Sequence, residues 1–261
     1  MIATSKMRRA QEAGTAGRPY DQKIRQVIAD LAAIPQTGEI HPLLKRREVK
    51  KIAIVHIAPD RGLAGGLTGS LNRKTGGFIL GKKLPVTIVS VGRKGIDFMR
   101  RGGREVRAEF TGLGDRPTLL DTLAISRIII DDYTNGLVDE VYVSYTKFIS
   151  TMVQTPVIEK LLPIEPDVST QSKTADFDYE PNPEEVLDAL LPRFVEMEIY
   201  HAILESIASE QSARMVAMRS ATDNAAELVQ DLTLMYNKAR QEAITTELLD
   251  ISGGAAALSK N

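Results

Sequence analysis

The chain has 261 residues, with 33 Lys and Arg against 34 Asp and Glu, and contains neither cysteine nor tryptophan. A net charge of −1 gives no bulk attraction to nucleic acid or to a membrane surface. The absence of cysteine excludes disulfide and thiolate chemistry and suits a reducing compartment. No apolar run reaches the ~18 residues of a membrane span, and Met1–Lys6 lacks a signal peptide's apolar stretch. Work at a membrane therefore requires other subunits to hold this chain there.

The charge is unevenly placed. Met1–Lys51 carries eleven Lys or Arg and five Asp or Glu, whereas Arg193–Ser252 carries five and ten. Opposite signs at the two ends are expected if the ends lie against one another.

In chain order, the first element is a helix from Ile2 to about Ile34. Ala3, Met7, Ala10, Gly14, Gly17, Asp21, Ile24, Ile28 and Leu31 recur at alternating steps of four and three, the seam spacing of a coiled coil. Small residues at Ala10, Gly14 and Gly17 allow close approach of a partner helix. Pro19 should kink or loosen the helix, and Pro35, Gly38 and Pro42 should end it.

Lys51–Ala58, Pro85–Val91 and Glu140–Phe148 then read as buried strands rich in β-branched residues, with a weaker strand at Val106–Phe110. Helices are expected at Leu71–Leu80, Gly95–Arg101 and Pro117–Thr134. This alternation predicts the α/β class, with a largely parallel sheet. Pro163–Pro183, with four prolines, reads as a loop or short hairpin.

The last zone dominates the chain. Asn182-Pro183-Glu184-Glu185 supplies a cap, a proline in the first turn and acids at the positive helix end. Pro192 is expected to break this first segment from the longer run beyond it. Sixty residues, Arg193–Ser252, contain no glycine or proline, and Gly253-Gly254 is the expected stop. A helix of that length would reach on the order of 90 Å, whereas a compact chain of this size is about 36 Å across. The helix must leave the globular body, so its job is mechanical or connective. Met218, Ala221, Ala225, Leu228, Leu232, Met235 and Ala239 form a second seam of small and apolar residues. Neither seam is apolar enough to stand alone in water. The economical arrangement is a long antiparallel coiled coil of the N- and C-terminal helices around an inserted α/β domain. The competing arrangement is a helical bundle folded back onto that domain.

Candidate chemistry is sparse. Asp60-Arg61-Gly62-Leu63-Ala64-Gly65-Gly66 sits between a strand and a helix, where phosphate-binding turns occur, but matches neither the P-loop nor the dinucleotide template. A turn that lets the backbone touch a partner is the better reading, and no cofactor is expected. His41, His56 and His201 are too far apart to form a metal site. His56 reads as a core histidine, and His201 as a solvated or seam-flanking one. Lys45-Arg46-Arg47 with Lys50-Lys51 lacks interleaved aromatics, so an acid-facing or solvated patch is favoured over nucleic acid. Near the end of the long helix, Arg240, Gln241, Thr245 and Glu247 place four hydrogen-bonding side chains within two turns. A surrounding collar of protein could touch them, although an ordinary polar helix face would look the same.

These residues carry a resemblance. Ala213-Arg214-Met215-Val216-Ala217-Met218-Arg219-Ser220-Ala221-Thr222-Asp223-Asn224-Ala225 and Tyr236-Asn237-Lys238-Ala239-Arg240-Gln241-Glu242-Ala243-Ile244-Thr245 closely resemble the gamma-subunit family of F-type ATP synthases. So do Asp60-Arg61-Gly62-Leu63 with Gly65-Gly66, Ser5-Lys6-Met7 and Tyr179-Glu180-Pro181-Asn182-Pro183. The likeness runs in order along essentially the whole chain.

The resemblance implies a non-catalytic rotor shaft that couples proton or sodium flow to ATP synthesis. It divides the chain into an N-terminal coiled-coil helix and linker (1–50), a Rossmann-like α/β foot (51–182) and the long C-terminal helix (183–261). The implied partners are the alpha and beta subunits of the catalytic head, the epsilon subunit and the membrane ring of c subunits, with no nucleic acid and no direct membrane span. The implied location is peripheral, on the cytoplasmic face of the cell membrane. Arg240, Gln241 and Thr245 match residues that contact a catalytic subunit, and Glu247 lies in the same patch. Arg214 matches a position implicated in coupling lower on the shaft. Asp60, Arg61 and Ala64 match the loop facing the catalytic subunits' acidic lever, and Glu180 matches a foot position near the ring. No cofactor or metal is implied.

Two departures are visible. The family begins its first helix earlier; a start codon assigned inside that helix is the favoured reason, and a genuine truncation, which would reduce coupling efficiency, is the alternative. Ala64 stands where many members have cysteine, a change that removes no charge or hydrogen bond. No thiol-regulatory insertion is present. The leading alternative is a non-energetic coiled-coil adaptor with an α/β binding module. A small nucleotide-binding enzyme is a second alternative, and it requires saturable binding at Gly62–Gly69.

Overall fold

The computed structural model describes residues 5–9, 12, 23–31, 41–165 and 179–258, with side chains to 255. The chain divides into two compact units, Met1–Val216 and Ala217–Asn261.

The first unit is built on five strands: β1 (Ile52–Ile57), β2 (Val86–Val91), β3 (Val106–Phe110), β4 (Glu140–Phe148) and β5 (Gln154–Leu162). Their order is β3-β2-β1-β4-β5. β1 pairs in parallel with β2 and β4, placing Ile52 beside Val86 on one side and Glu140 on the other, and β2 pairs in parallel with β3. β5 runs antiparallel to β4, with Tyr145 opposite Val157.

The alternation of β1 sorts the core into two layers. Ala53, Val55 and Ile57 face a cluster with Ile125, Ile129, Tyr133, Leu191 and Val195. Ile52 and Ile54 face Ile79, Ile88, Met99 and Tyr142. Each fully buried aliphatic side chain contributes about 1.5–3 kcal/mol.

The expected strands and the three helices between them are present, with adjusted ends; of the expected N-terminal helix only part lies among the described residues. Residues 5–9, 12 and 23–31 are helical, and the last stretch is α1. It is followed by α2 (Leu67–Lys82), α3 (Arg93–Arg101) and α4 (Leu119–Thr134). α4 carries a capping box, in which the Thr118 backbone N–H donates to Asp121 at 2.7 Å. The seam positions Ala3, Ala10, Gly14, Gly17 and Asp21, the Pro19 kink and most of Pro163–Pro183 lie outside the described residues.

β5 leaves little sign in the sequence, because Pro156, Glu159 and Lys160 interrupt its apolar pattern. An edge strand tolerates both features, since its outer side needs no ladder donor and faces water.

α5 (Pro183–Leu258) is 76 residues long and corrects two expectations. Pro192 does not break it, because Leu187, Leu191, Phe194 and Val195 pack into the core on both sides of that position. Gly253-Gly254 does not stop it either; Ala255-Ala256-Ala257-Leu258, all strong helix formers, continue the helix. Its start is capped as expected, with the Glu185 N–H donating to Asn182 Oδ1 at 2.9 Å.

Within the first unit the N-terminal helical residues run antiparallel to α5. His41 lies 3.9 Å from Asp188. The Arg25 guanidinium stacks over the Phe194 ring and pairs with Glu198. Lys6 shares Asp115 with Gln211. As numbering falls from 41 to 6, the partner's numbering rises from 188 to 211. Ile24, Ile28 and Leu31 are buried on this side.

In the second unit, residues 218–255 are helical and every side chain except Asn237 is exposed.

The expectation that His56 is a core residue is met. It is fully buried, with Nε2 bonded to Asn72 Oδ1 at 2.9 Å and Nδ1 3.3 Å from Thr75 Oγ1. Gly95 makes room for it, since a Cβ there would lie 2.7 Å from the ring. Burial pushes the imidazole down to about 4 from its ordinary 6.5, against a smaller upward pull from Asn72. The unfolded chain therefore takes up a proton near pH 6.5 that the folded one refuses until about pH 4. Stability should be complete above pH 6.5 and fall by about 3 kcal/mol as pH drops to about 4. Urea midpoints taken across that range should show this slope, and His56→Gln should flatten it.

Candidate functional site

In doubly wound sheets, ligands bind outside the carboxyl ends of the strands where the strand order reverses. Here that point lies between β1 and β4, and α5 occupies it. Three serines on one face of α5 reach this edge. Ser206 Oγ lies 3.5 Å from the Ile57 carbonyl, Ser209 Oγ donates to Thr146 O at 2.9 Å, and Ser212 Oγ donates to Thr151 O at 2.8 Å. Gln154 Nε2 reaches Ser212 Oγ at 3.4 Å. Spacing by three residues aligns the hydroxyls on one helix face, so the crevice that would hold a nucleotide holds a helix.

The β1–α2 loop is anchored at the same edge. Asp60 is turned inward: Oδ1 accepts from the Arg93 N–H at 2.9 Å and Oδ2 from the Gly112 N–H at 2.9 Å. Gly92, at φ +87°, lies against the loop's start. A Cβ there would sit 1.8 Å from the Ala58 carbonyl oxygen, so only glycine fits. Ala64 is buried with Leu67 and Ala213. Arg214 Nη2 donates to Gly62 O at 3.2 Å and pairs with Glu210. Burial holds the Glu210 carboxyl above its ordinary range; Arg214 opposes this, while Asp115 and Asp60 add to it. Arg61 remains exposed.

The structure thus brings Asp60, Ala64 and Arg214 together around one loop and leaves Arg61 at its surface. Glu180 is exposed in the turn before α5. His41 caps the short turn Pro42–Leu44 through Nδ1, which accepts from the Leu43 N–H at 3.1 Å. Among the described residues no cluster of potential metal ligands occurs, and no helix is long and apolar enough to cross a membrane.

In the second unit, Arg240, Gln241, Thr245 and Glu247 are all exposed. At about 100° per residue, Gln241 and Thr245 share one face, and Arg240 and Glu247 share another. The Thr245 hydroxyl donates to Gln241 O at 2.8 Å, leaving its lone pairs outward. The apolar residues form two lines as well. Leu228, Leu232 and Met235 lie on one side, while Ile244, Leu248 and Ile251 lie about 160° around the helix. All six are at least half exposed.

The anchoring of Asp60 was not readable from sequence, because it depends on two amides 33 and 52 residues away. The only trace of the serine ladder in the sequence is that Ser206, Ser209 and Ser212 recur every three residues.

The profile of the family described as ATP synthase matches residues 1–258. The ATP synthase gamma chain of Dehalococcoides mccartyi is 64% identical over 260 residues, covering 99% of this chain and 91% of the relative. That of Roseiflexus castenholzii is 49% identical, covering all of this chain and 91% of the relative. Among solved structures, a chain of the Tetrahymena thermophila mitochondrial ATP synthase central stalk and c-ring aligns with a TM-score of 0.65 at 22% identity, over 85% of this chain and 96% of that one. A chain of the Euglena gracilis mitochondrial ATP synthase aligns with a TM-score of 0.62 at 20% identity, over 98% and 93%.

Replacing Asp60 by Ala should expose the Arg93 and Gly112 amides to exchange and lower stability by about 1–3 kcal/mol. Hydrogen exchange read at those two amides, together with the urea midpoint, checks this, and Asp60→Asn should lose less.

Proposed function

We infer, from the premise that this chain belongs to the ATP synthase gamma-chain family, that it is the central-stalk rotor of an F-type ATP synthase. The observation that carries the reading is the second unit of α5. Leu228, Val229, Leu232, Leu234, Met235, Tyr236, Ile244, Leu248, Leu249 and Ile251 are 50–68% exposed. A helix with apolar residues on opposing sides does not persist bare in water; it is made to be surrounded. The face of Leu228, Leu232 and Met235 suits the chain's own N-terminal helix, and the opposing face of Ile244, Leu248 and Ile251 suits a sleeve of other subunits.

In this reading residues 1–50 and 183–261 form the shaft, and 51–182 form the foot. The alpha and beta subunits surround the upper shaft, where Arg240, Gln241, Thr245 and Glu247 supply polar contacts. Asp60, Arg61 and Ala64 hold and present a loop beneath the head, and Arg214 ties that loop to the shaft. The foot, with Glu180, sits on the c-subunit ring beside epsilon at the cytoplasmic face of the membrane. The chain does no chemistry of its own. Each charge crossing 100 mV releases about 2.3 kcal/mol, and the asymmetric shaft delivers the sum to the head as rotation. The filled switch-point crevice supports a structural role for the sheet over a nucleotide-binding one. Family membership disfavours the coiled-coil adaptor.

Co-expression with the alpha and beta subunits tests this directly. A stoichiometric complex with sustained ATP hydrolysis is the expected result, and failure to join the head would overturn the rotor reading. The double change Arg240→Ala with Gln241→Leu should lower assembly or coupled turnover about tenfold, the usual scale for a cluster of contact residues. The helicity of the isolated chain, read by circular dichroism, should stay unchanged.

A further inference from the structure

The amino edge of the sheet, where β1, β2 and β3 begin, carries positive charge that the fold does not use. Most acids there are spent. Glu140 pairs with Lys82 and Lys160 at 3.8 and 2.9 Å, and Glu165 pairs with Lys160 and Arg46 at 3.1 and 3.5 Å. Glu48 lies 3.3 Å from Lys50. Asp139 Oδ2 accepts from the Lys50 and Lys51 backbone N–H groups at 2.8 and 2.9 Å. Lys45, Lys51, Lys83 and Arg104 are exposed, and their side chains have no acidic partner among the described residues. Only Glu105 and Asp131 remain as exposed, uncommitted acids at this edge, so the cations outnumber them.

Lys83 shows the excess most clearly. It ends α2 at φ +52°, a left-handed position that glycine fills without strain. The turn gains nothing from a lysine side chain there. Lys51 stands at the start of the neighbouring strand, where the Ile52 N–H donates to Pro85 O at 3.1 Å. Two apolar side chains accompany the cations: Leu80 is 68% exposed and Leu137 52% exposed. They stand apart, because α2 covers one face of the sheet through Ile79, and α4, which precedes Leu137, covers the other through Ile125 and Ile129. α5 enters the first unit at this same edge, with Asp188 3.9 Å from His41, and reaches the opposite edge at Ser206.

We propose that the amino edge of the sheet contacts the headgroups of anionic phospholipids. Lysine carries a compact charge on a flexible stem and needs no fixed partner geometry, which suits mobile phosphates, whereas fixed carboxylates favour the planar arginine fork. Scattered leucines between cations enter a headgroup layer singly but do not form the continuous apolar centre of a protein interface. The chain's net charge of −1 conceals this field, since salt confines it to about 10 Å from the surface. The contact adds to the rotor reading, which supplies only the nearness of a membrane, and steadies this edge without replacing the ring's hold.

The first test is co-sedimentation of the full chain with vesicles of phosphatidylcholine, alone or mixed with phosphatidylglycerol, at low and high salt. Binding should need the anionic lipid and weaken with salt. Each cation removed should cost about fivefold in affinity. Lys83→Gly should show that loss with an equal or higher melting temperature, because glycine relieves the backbone while deleting the charge. The triple change Lys50→Glu, Lys51→Glu and Lys83→Glu should lose more than tenfold. Arg219→Glu with Lys238→Glu, exposed in the second unit, should change nothing. Equal binding to neutral vesicles, or unchanged binding of the triple variant, would overturn the proposal. In the complete ATP synthase, Lys83→Cys carrying a photoreactive label should crosslink to lipid. Crosslinks to the c subunits alone would overturn the lipid contact in favour of a protein one. Failure of the wild-type chain to enter that complex would overturn the rotor reading and leave the vesicle result standing.

Discussion

The structure depends on what covers α5. Over residues 183–216 a sheet and the antiparallel helical residues near the N-terminus cover it: Leu187, Leu191, Val195, Ile199 and Ile203 are buried, and three serines bond the ends of the strands. Beyond Ala217 nothing in the described chain covers it, yet leucines, isoleucines and methionines continue. Helices of this kind draw their stability from packing rather than from propensity. One continuous helix therefore carries a complete environment in one part and a demand for an environment in the other. The function arises from that demand.

The same constraint explains why a doubly wound sheet serves here without a nucleotide. Such sheets offer their binding crevice at the strand-order reversal, and α5 takes that place through Ser206, Ser209 and Ser212. What the architecture supplies instead is rigidity at the carboxyl edge. Asp60, Gly92, Ala64 and Arg214 lock the loop after β1. The Arg107 guanidinium, which meets the buried Asp132 carboxylate at 2.8 and 3.0 Å, braces β3 against α4 in the same fashion.

Much of this was legible in the sequence, for physical reasons. β1, β2 and β4 are rich in β-branched and aromatic residues because they are largely buried on both faces, and the long helix announced itself through sixty residues without glycine or proline. β5 was not legible, because an edge strand carries Pro156, Glu159 and Lys160 without penalty. The continuity of α5 through Pro192 was hidden as well, since local chemistry predicts a break and only the packing of Leu191, Phe194 and Val195 overrides it. At the candidate site the residues could be named, but not their orientation. Asp60 and Ala64 face inward because of amides and side chains distant in sequence, and which member of the loop faces outward becomes visible only once the fold has closed around them.

The absence of cysteine makes the central claim directly measurable. Leu120 on α4 is 77% exposed, so Leu120→Cys gives this chain a single labelling site beside its sheet. A bead attached there, with the head fixed to a surface and ATP supplied, should turn continuously in one direction as hydrolysis proceeds. A bead that stays still on complexes that hydrolyse ATP would contradict the account, since the chain would then be bound to the head without being its shaft.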